Sequence, residues 1–168
     1  LSCSSAASDV YKRQDIDFVI NVAGTNLCEP IDNIDIAEWD RVMDVNLKSF
    51  FVICKEAVDL MKRQNYGRIV NVSSIAGRNK SIVSGVHYTS SKYGIIGLTK
   101  QLANEVSKHN ILVNCVCPSQ TMTEMLEKSM SKEQIVQLEA KIPVRRIATT
   151  KEQACLLYTS PSPRDDPL

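Results

Sequence analysis

Three short runs of apolar residues stand out along the chain, each bounded by polar or turn-forming residues. They cover Asp17–Ile20, Arg68–Val72 and Ile111–Cys117. The runs are rich in Val and Ile and do not alternate with polar residues, which is typical of strands buried on both faces of a parallel sheet. The pattern therefore predicts three parallel strands.

Between the first two predicted strands, apolar residues recur every three or four positions, the period of an amphipathic helix. Asp35 and Glu38 form a capping-box pattern that starts this helix, and the pattern continues to about Gln64. Gly67 is the predicted cap after its last turn. Asn46 falls inside the apolar pattern, where a polar side chain is expected to be buried and hydrogen-bonded.

A second long helix is predicted from Tyr88 to about His109, and further helices over 124–140 and from Thr150 onward. Three strands joined by two such helices form a right-handed parallel βαβαβ unit. The fold class is therefore α/β. The segment 75–86, with two glycines and no apolar period, is expected to be a loop.

The residues that open the second long helix carry candidate chemistry. Tyr88 and Lys92 are four positions apart, so on a helix they share a face. An ammonium one turn away is expected to lower the pKa of the Tyr88 hydroxyl. Ser74, at the carboxyl end of the second strand, is placed to hold a carbonyl oxygen beside the phenol, and Ser73 is the second choice for this role. His87, next to Tyr88, is expected to point elsewhere and to have a structural or rim role.

The ordered set of Asn21-Val22-Ala23-Gly24, Asn46, Ser74 and Tyr88-x-x-x-Lys92 resembles the short-chain dehydrogenase/reductase family. The resemblance covers about residues 15–154. It implies the second half of a doubly wound Rossmann-type parallel sheet, with three strands and flanking helices. The catalytic residues that it implies are Asn46, Ser74, Tyr88 and Lys92.

The resemblance also implies a nicotinamide cofactor, NADP or NAD, with NADP slightly favoured. In the family, Pro-Gly-x-(Val/Ile)-x-Thr follows the third strand and holds the nicotinamide; here Ser119 replaces the Gly and Thr121 the Val or Ile. Asn46 is expected to bend its helix and to anchor a water of the proton relay. The cofactor-binding residues implied are Asn21, Ala23, Gly24, Tyr88, Lys92, Pro118, Thr121 and Thr123.

Both ends of the chain differ in character from the middle. Residues 1–14 and 155–168 resemble translated sequencing adaptors, and we expect both to be disordered. The partial Rossmann-type domain is then 15–154. No glycine-rich phosphate-binding fingerprint is found in the sequence, so the chain as given is expected to be inactive and poorly stable alone.

Charge and cysteine usage narrow the function classes. The formal net charge is +1, which gives no indication of a nucleic acid partner or of an anionic membrane surface. Cys115 and Cys117 are expected to point to opposite faces of the third strand, as small buried side chains in a reduced cytoplasmic protein. No metal site is expected.

We therefore expect an NAD(P)-dependent oxidoreductase that interconverts a carbonyl and a secondary alcohol. The amino-acid sequence is most similar to those of bacterial 3-oxoacyl-(acyl carrier protein) reductases. A sugar or polyol dehydrogenase of the same family is the first alternative, and a non-catalytic binding protein of this fold is the second. The expected substrate is a small-molecule or acyl-carrier-bound carbonyl compound, and the intact protein is expected to form a homo-tetramer or dimer.

Overall fold

The computed structural model describes residues 15–81 and 83–158, and the chain divides into two compact units, Leu1–Cys117 and Pro118–Leu168. The first unit contains a parallel sheet in the order β1-β2-β3. Its strands are β1 (Phe18–Asn21), β2 (Gly67–Val72) and β3 (Ile111–Val116). The predicted α/β class and the three parallel strands are confirmed.

Two long helical segments connect these strands. The first consists of α1 (Ile36–Met43), a π turn (Asp44–Lys48) and α2 (Ser49–Gln64), and the second is α3 (Val86–Val106). Single 3₁₀ turns cover Ile31–Asn33, Ile75–Gly77 and Ser107–His109. The segment expected to be a loop therefore begins with a helical turn.

The caps of the first helical segment explain where it begins and ends. The Asp35 carboxylate accepts a hydrogen bond from the Glu38 amide at 2.7 Å, as the capping pattern predicts. At the other end, Asn65 has φ 51°, so it is the left-handed cap. The prediction of Gly67 as the cap was wrong: Gly67 begins β2, and a Cβ there would lie 2.2 Å from the Met61 sulfur. It is glycine because a helix packs on it.

The core lies between the sheet and the helices α2 and α3. The parallel register aligns Ile69 of β2 with Val113 of β3, and both side chains are buried. Burying this apolar surface is the main source of stability for such a unit. The core cluster consists of Cys54, Ala57, Val58, Met61, Ile69, Val106, Ile111 and Val113.

The second unit contains three helices, α4 (Glu124–Ser129), α5 (Lys132–Lys141) and α6 (Thr150–Tyr158). Ser131 forms a full capping box at the start of α5. Helix α6 continues through 155–158, which are the first residues of the adaptor-like end that we expected to be disordered. The other residues of the two adaptor-like ends lie outside the described residues.

Within residues 15–81 and 83–158, no helix combines the length and the apolar character needed to cross a bilayer.

Candidate active site

Ser74 and Tyr88 meet at the carboxyl end of β2. Ser74 immediately precedes the 3₁₀ turn, and its hydroxyl oxygen accepts a hydrogen bond from the Ala76 amide at 3.1 Å. The same side chain lies beside the phenol of Tyr88, a residue on the first turn of α3, and lowers its pKa. The structure therefore brings together the two residues between which the sequence predicts a bound carbonyl oxygen.

Ser73 is placed differently from its neighbour. Its hydroxyl donates a hydrogen bond of 2.7 Å to the main-chain carbonyl of Lys92 and is buried. Gly77 packs on the same carbonyl, since a Cβ there would lie only 2.6 Å from the oxygen. Ser73 thus ties the end of β2 to α3, and Ser74 is the serine whose hydroxyl reaches the phenol.

Lys92 lies one turn after Tyr88 and is almost completely buried, with 4% of its surface exposed. Its ammonium donates a hydrogen bond to the Val72 carbonyl at 3.3 Å and lies 5.5 Å from the centre of the Tyr88 ring. Burial lowers the pKa of Lys92 to about 8, against an opposing effect of the Cys115 and Cys117 sulfurs. The amine is still largely protonated at neutral pH.

The pKa of Tyr88 moves in the direction opposite to our expectation. Burial raises it above the ordinary value, and the neighbouring Ser74 side chain offsets part of that effect. The nearby ammonium does not reverse the shift, because it lies toward the face of the ring and donates to Val72. At neutral pH the phenol therefore keeps its proton.

Asn46 lies in the π turn, and its side chain is fully buried. The Asn46 amide bridges to the loop after β1: its oxygen accepts from the Thr25 amide at 2.7 Å, and its nitrogen donates to the Thr25 carbonyl at 2.9 Å. The nitrogen also donates to the Ser91 hydroxyl at 3.1 Å, and Ser91 donates to the main-chain carbonyl of Tyr88 at 2.7 Å. Asn46 thus connects three segments around the phenol.

Gly24 completes this group. A Cβ at Gly24 would lie 3.4 Å from the Lys92 nitrogen and 3.6 Å from the Asn46 side-chain oxygen. The main chain after β1 therefore approaches both side chains closely. Ala23 and Gly24 are exposed, so this stretch of backbone is open on its other side.

Asn21 is buried beneath the site rather than facing it. Its side-chain nitrogen donates to the Asn71 oxygen at 2.8 Å, and the Asn71 nitrogen donates to the Thr99 hydroxyl at 3.0 Å. This chain of hydrogen bonds links β1, β2 and α3. Sequence reasoning missed Asn71 and Thr99, although a polar residue inside an apolar strand is itself a signal of a buried partner.

The other three predicted cofactor residues belong to the second unit. Pro118 is its first residue. Thr121 pairs with Ala148 in an isolated β-bridge, and its hydroxyl donates to the Ser119 carbonyl at 3.2 Å. The Thr123 hydroxyl accepts a hydrogen bond from the Leu126 amide at 3.3 Å and caps α4.

The placement of the two cysteines corrects a prediction. Cys115 and Cys117 are two residues apart, so by the period of a strand they share one face, and we had predicted opposite faces. Burial and the neighbouring Cys117 raise the pKa of the Cys115 thiol to about 11, so Cys115 remains protonated near neutral pH.

Most of the chain matches a known protein family. A model of the short chain dehydrogenase family matches residues 2–134. The chain therefore belongs to that family.

Individual relatives agree with this assignment. The chain is 38% identical over 144 residues to an acetoacetyl-CoA reductase of Acinetobacter sp. (strain RA3849), covering 85% of this chain and 57% of that protein. It is similar to the crystal structure of a 3-oxoacyl-[acyl-carrier protein] reductase from Brucella melitensis ATCC 23457, with 31% identity, a TM-score of 0.84, and coverage of 91% and 58%.

A second structure of a 3-oxoacyl-[acyl-carrier protein] reductase from Brucella melitensis, with bound NAD, is 31% identical with a TM-score of 0.78. That comparison covers 91% of this chain and 57% of the other. The chain thus spans slightly more than half the length of the relatives that it matches.

Proposed function

We propose that the full-length protein is an NAD(P)-dependent oxidoreductase that interconverts a carbonyl group and a secondary alcohol. The observation that carries the proposal is the Ser74 side chain beside the buried Tyr88 phenol, with the buried Lys92 ammonium one turn behind it. A hydroxyl pair of this kind binds a carbonyl oxygen between two donors, and the phenol is a positioned acid. The residues of the first unit fit a nicotinamide cofactor, which supplies the hydride when it is bound.

The fit rests on the surroundings of Lys92. The Lys92 ammonium has three N–H groups. One of them donates a hydrogen bond to the Val72 carbonyl. The exposed backbone at Gly24 approaches the same nitrogen. These two observations support the proposal that Lys92 would donate to a hydroxyl of the bound cofactor.

The proton chemistry belongs to Tyr88 and its neighbours. Because burial raises the pKa of Tyr88, the phenol is protonated at neutral pH and can donate its proton to the carbonyl oxygen during reduction. Ser74 holds that oxygen with a second hydrogen bond. Lys92 then stabilises the tyrosinate that remains, and Asn46 holds the segments on which these groups are placed. Such general acid catalysis typically contributes ~10²–10⁴-fold.

For the substrate we propose a 3-oxoacyl thioester, carried by coenzyme A or by an acyl carrier protein, and for the cofactor NADPH ahead of NADH. The support for the substrate class is the similarity to the acetoacetyl-CoA reductase and to the 3-oxoacyl-[acyl-carrier protein] reductase. The order of the two cofactors rests on the family resemblance alone. We propose a cytoplasmic homo-oligomer on the same ground. If the protein instead reduces sugar ketones faster than acetoacetyl-CoA, the polyol dehydrogenase alternative replaces this substrate class.

The test is substitution of Tyr88 by Phe in the full-length protein, with acetoacetyl-CoA and either NADPH or NADH. Loss of the acid should lower kcat at least ~10²-fold, while cofactor affinity measured by fluorescence titration stays within about 2-fold. The control is Tyr93→Phe, because Tyr93 lies on the same helix and is exposed. Full turnover by Tyr88→Phe would refute the proposed acid. Absence of turnover in the wild type with any ketone or alcohol would favour the non-catalytic alternative.

A further inference from the structure

His87 is fully buried on the first turn of α3, immediately before Tyr88. Its Nδ1 atom accepts a hydrogen bond of 2.9 Å from the main-chain N–H of Tyr88. Its Nε2 atom has no hydrogen-bond partner within the described residues and lies 3.8 Å from a carboxylate oxygen of Glu38. The buried ring therefore contacts the main chain of the proposed acid directly and can affect the position of Tyr88.

The start of α3 explains why the ring is needed there. The first N–H groups of a helix have no partner within the helix, and a side chain before the first turn usually accepts from one of them. Gly85 occupies that capping position and has no side chain to do so. The ring of His87 supplies the missing acceptor, from inside the first turn and directly at Tyr88.

Gly85 also provides the space that the ring occupies. A Cβ at Gly85 would lie 2.6 Å from Cε1 and 2.8 Å from Nδ1 of His87. The same residue is held to the loop after β1, since its N–H donates to the Leu27 carbonyl at 3.2 Å. Glycine at 85 and histidine at 87 therefore form one local arrangement.

Helix α1 holds the other side of the ring. Because Nδ1 accepts a hydrogen bond, the neutral ring carries its proton on Nε2, which faces Glu38. Arg41 donates two hydrogen bonds of 2.7 Å to the Glu38 carboxylate. At 3.8 Å the approach of Nε2 to Glu38 is an electrostatic contact rather than a hydrogen bond.

We propose that His87 is a positioning residue for Tyr88: held between Glu38 on α1 and the cavity left by Gly85, it fixes the main chain at Tyr88 and so aims the phenol at the substrate oxygen. This inference rests on the proposed function. Displacing an acid by about 1 Å can lower the rate ~10²-fold without changing substrate binding. A purely structural role would lower stability and leave kcat unchanged.

Two substitutions distinguish the role of Nδ1 from that of Nε2. In His87→Asn, the side-chain oxygen stands where Nδ1 stands and can accept from Tyr88, whereas in His87→Gln the polar group extends toward Glu38. In the full-length protein we expect His87→Asn to keep kcat within about 3-fold and His87→Gln to lower it ~10- to 100-fold, with KM within about 2-fold in both. His109→Gln is the control at the other histidine. Equal kcat values for both variants, with only the melting temperature lowered, would overturn the proposal.

A measurement without turnover keeps this test apart from that of the proposed function. The ¹⁵N shifts of the His87 ring should show the Nε2–H tautomer, and exchange of the Tyr88 amide should be at least ~10-fold faster in His87→Gln than in His87→Asn. A proton on Nδ1 in the neutral ring, or equal exchange, would overturn the role of His87 even in an active enzyme. The expected tautomer and exchange rates in a protein that reduces no carbonyl would instead refute the proposed function.

Discussion

The buried ammonium of Lys92 is needed for the proposed chemistry, but its burial lowers the stability of the fold. Burial lowers its pKa to about 8, below the ordinary value of about 10.4 in an unfolded chain. Between those two values the unfolded chain binds more protons than the folded one, so this group makes stability rise with pH. Below pH 8 both states are protonated, and the folded protein carries the whole cost of the buried charge.

Replacing Lys92 by Met removes that cost together with the proposed chemistry. We expect the free energy of unfolding at pH 7 to rise by about 1–3 kcal/mol, since each pKa unit corresponds to ~1.4 kcal/mol and the hydrogen bond to Val72 is lost. The gain should shrink as the pH rises from about 8 to about 10.4. Urea denaturation at several pH values measures it.

The matched control for this substitution is Lys100→Met, because Lys100 is exposed on the same helix. Its effect should stay within about 0.5 kcal/mol and should not follow pH. A lower stability of Lys92→Met at pH 7 would mean that the contacts of the ammonium outweigh its desolvation.

At this scale the sequence predicts which residues meet but not how they titrate. The spacing of Tyr88 and Lys92 and the position of Ser74 at a strand end follow from the periods of helix and strand. The raised pKa of Tyr88 does not, because it depends on how deeply packing buries the ring. The partner of Ser73 is likewise hidden, since no periodicity identifies a main-chain carbonyl as an acceptor.

Among the contacts between secondary-structure elements, the 3₁₀ turn after β2 packs closely on helix α3. A Cβ at Gly77 would lie 2.6 Å from the Lys92 carbonyl oxygen and 2.8 Å from its carbon, and main-chain atoms cannot rotate aside. Gly97, on the same helix, has nothing within 4 Å of a Cβ. One glycine is therefore required by close packing and the other is not.

Alanine at these two glycines should change stability in opposite directions. Gly77→Ala should lower the free energy of unfolding by about 1–3 kcal/mol through overpacking. Gly97→Ala should raise it by about 0.5–1 kcal/mol, because alanine favours the helix. Thermal and urea unfolding of both variants provide the comparison. A neutral Gly77→Ala would show that the turn moves away from α3 at little cost.

Most helices and strands were predictable because the hydrophobic period that defines them lies within the element itself. Irregular turns within a helix depend on residues that are distant in sequence. The helix predicted from Asp35 to Gln64 contains a π turn at 44–48. There the Asn46 side chain bonds to Thr25 and Ser91, which lie 21 and 45 positions away in sequence. A π turn of this kind often marks a functional position in a helix. The sequence showed a polar residue out of pattern, but not the partners that hold it.

At the scale of the whole molecule, β1 is an edge strand among the described strands, and one of its faces is apolar. Phe18, Ile20 and Val22 are 65%, 53% and 57% exposed, whereas Asn21 on the opposite face is buried. Alternate apolar residues along an open edge form a surface on which other chains can pair. The 168-residue chain should therefore self-associate as its concentration increases.

Threonine at both Phe18 and Ile20 should suppress this association while the strand is kept, since threonine favours extended structure. Stability should change little, because both side chains are already mostly exposed. Sedimentation velocity over a range of concentrations measures the change, and Ile31→Thr, at a residue 69% exposed but outside the strand, is the control. If both variants associate as the wild type does, β1 is not the contact surface. If the double variant alone is monomeric, the apolar face of β1 is the surface through which the chains associate.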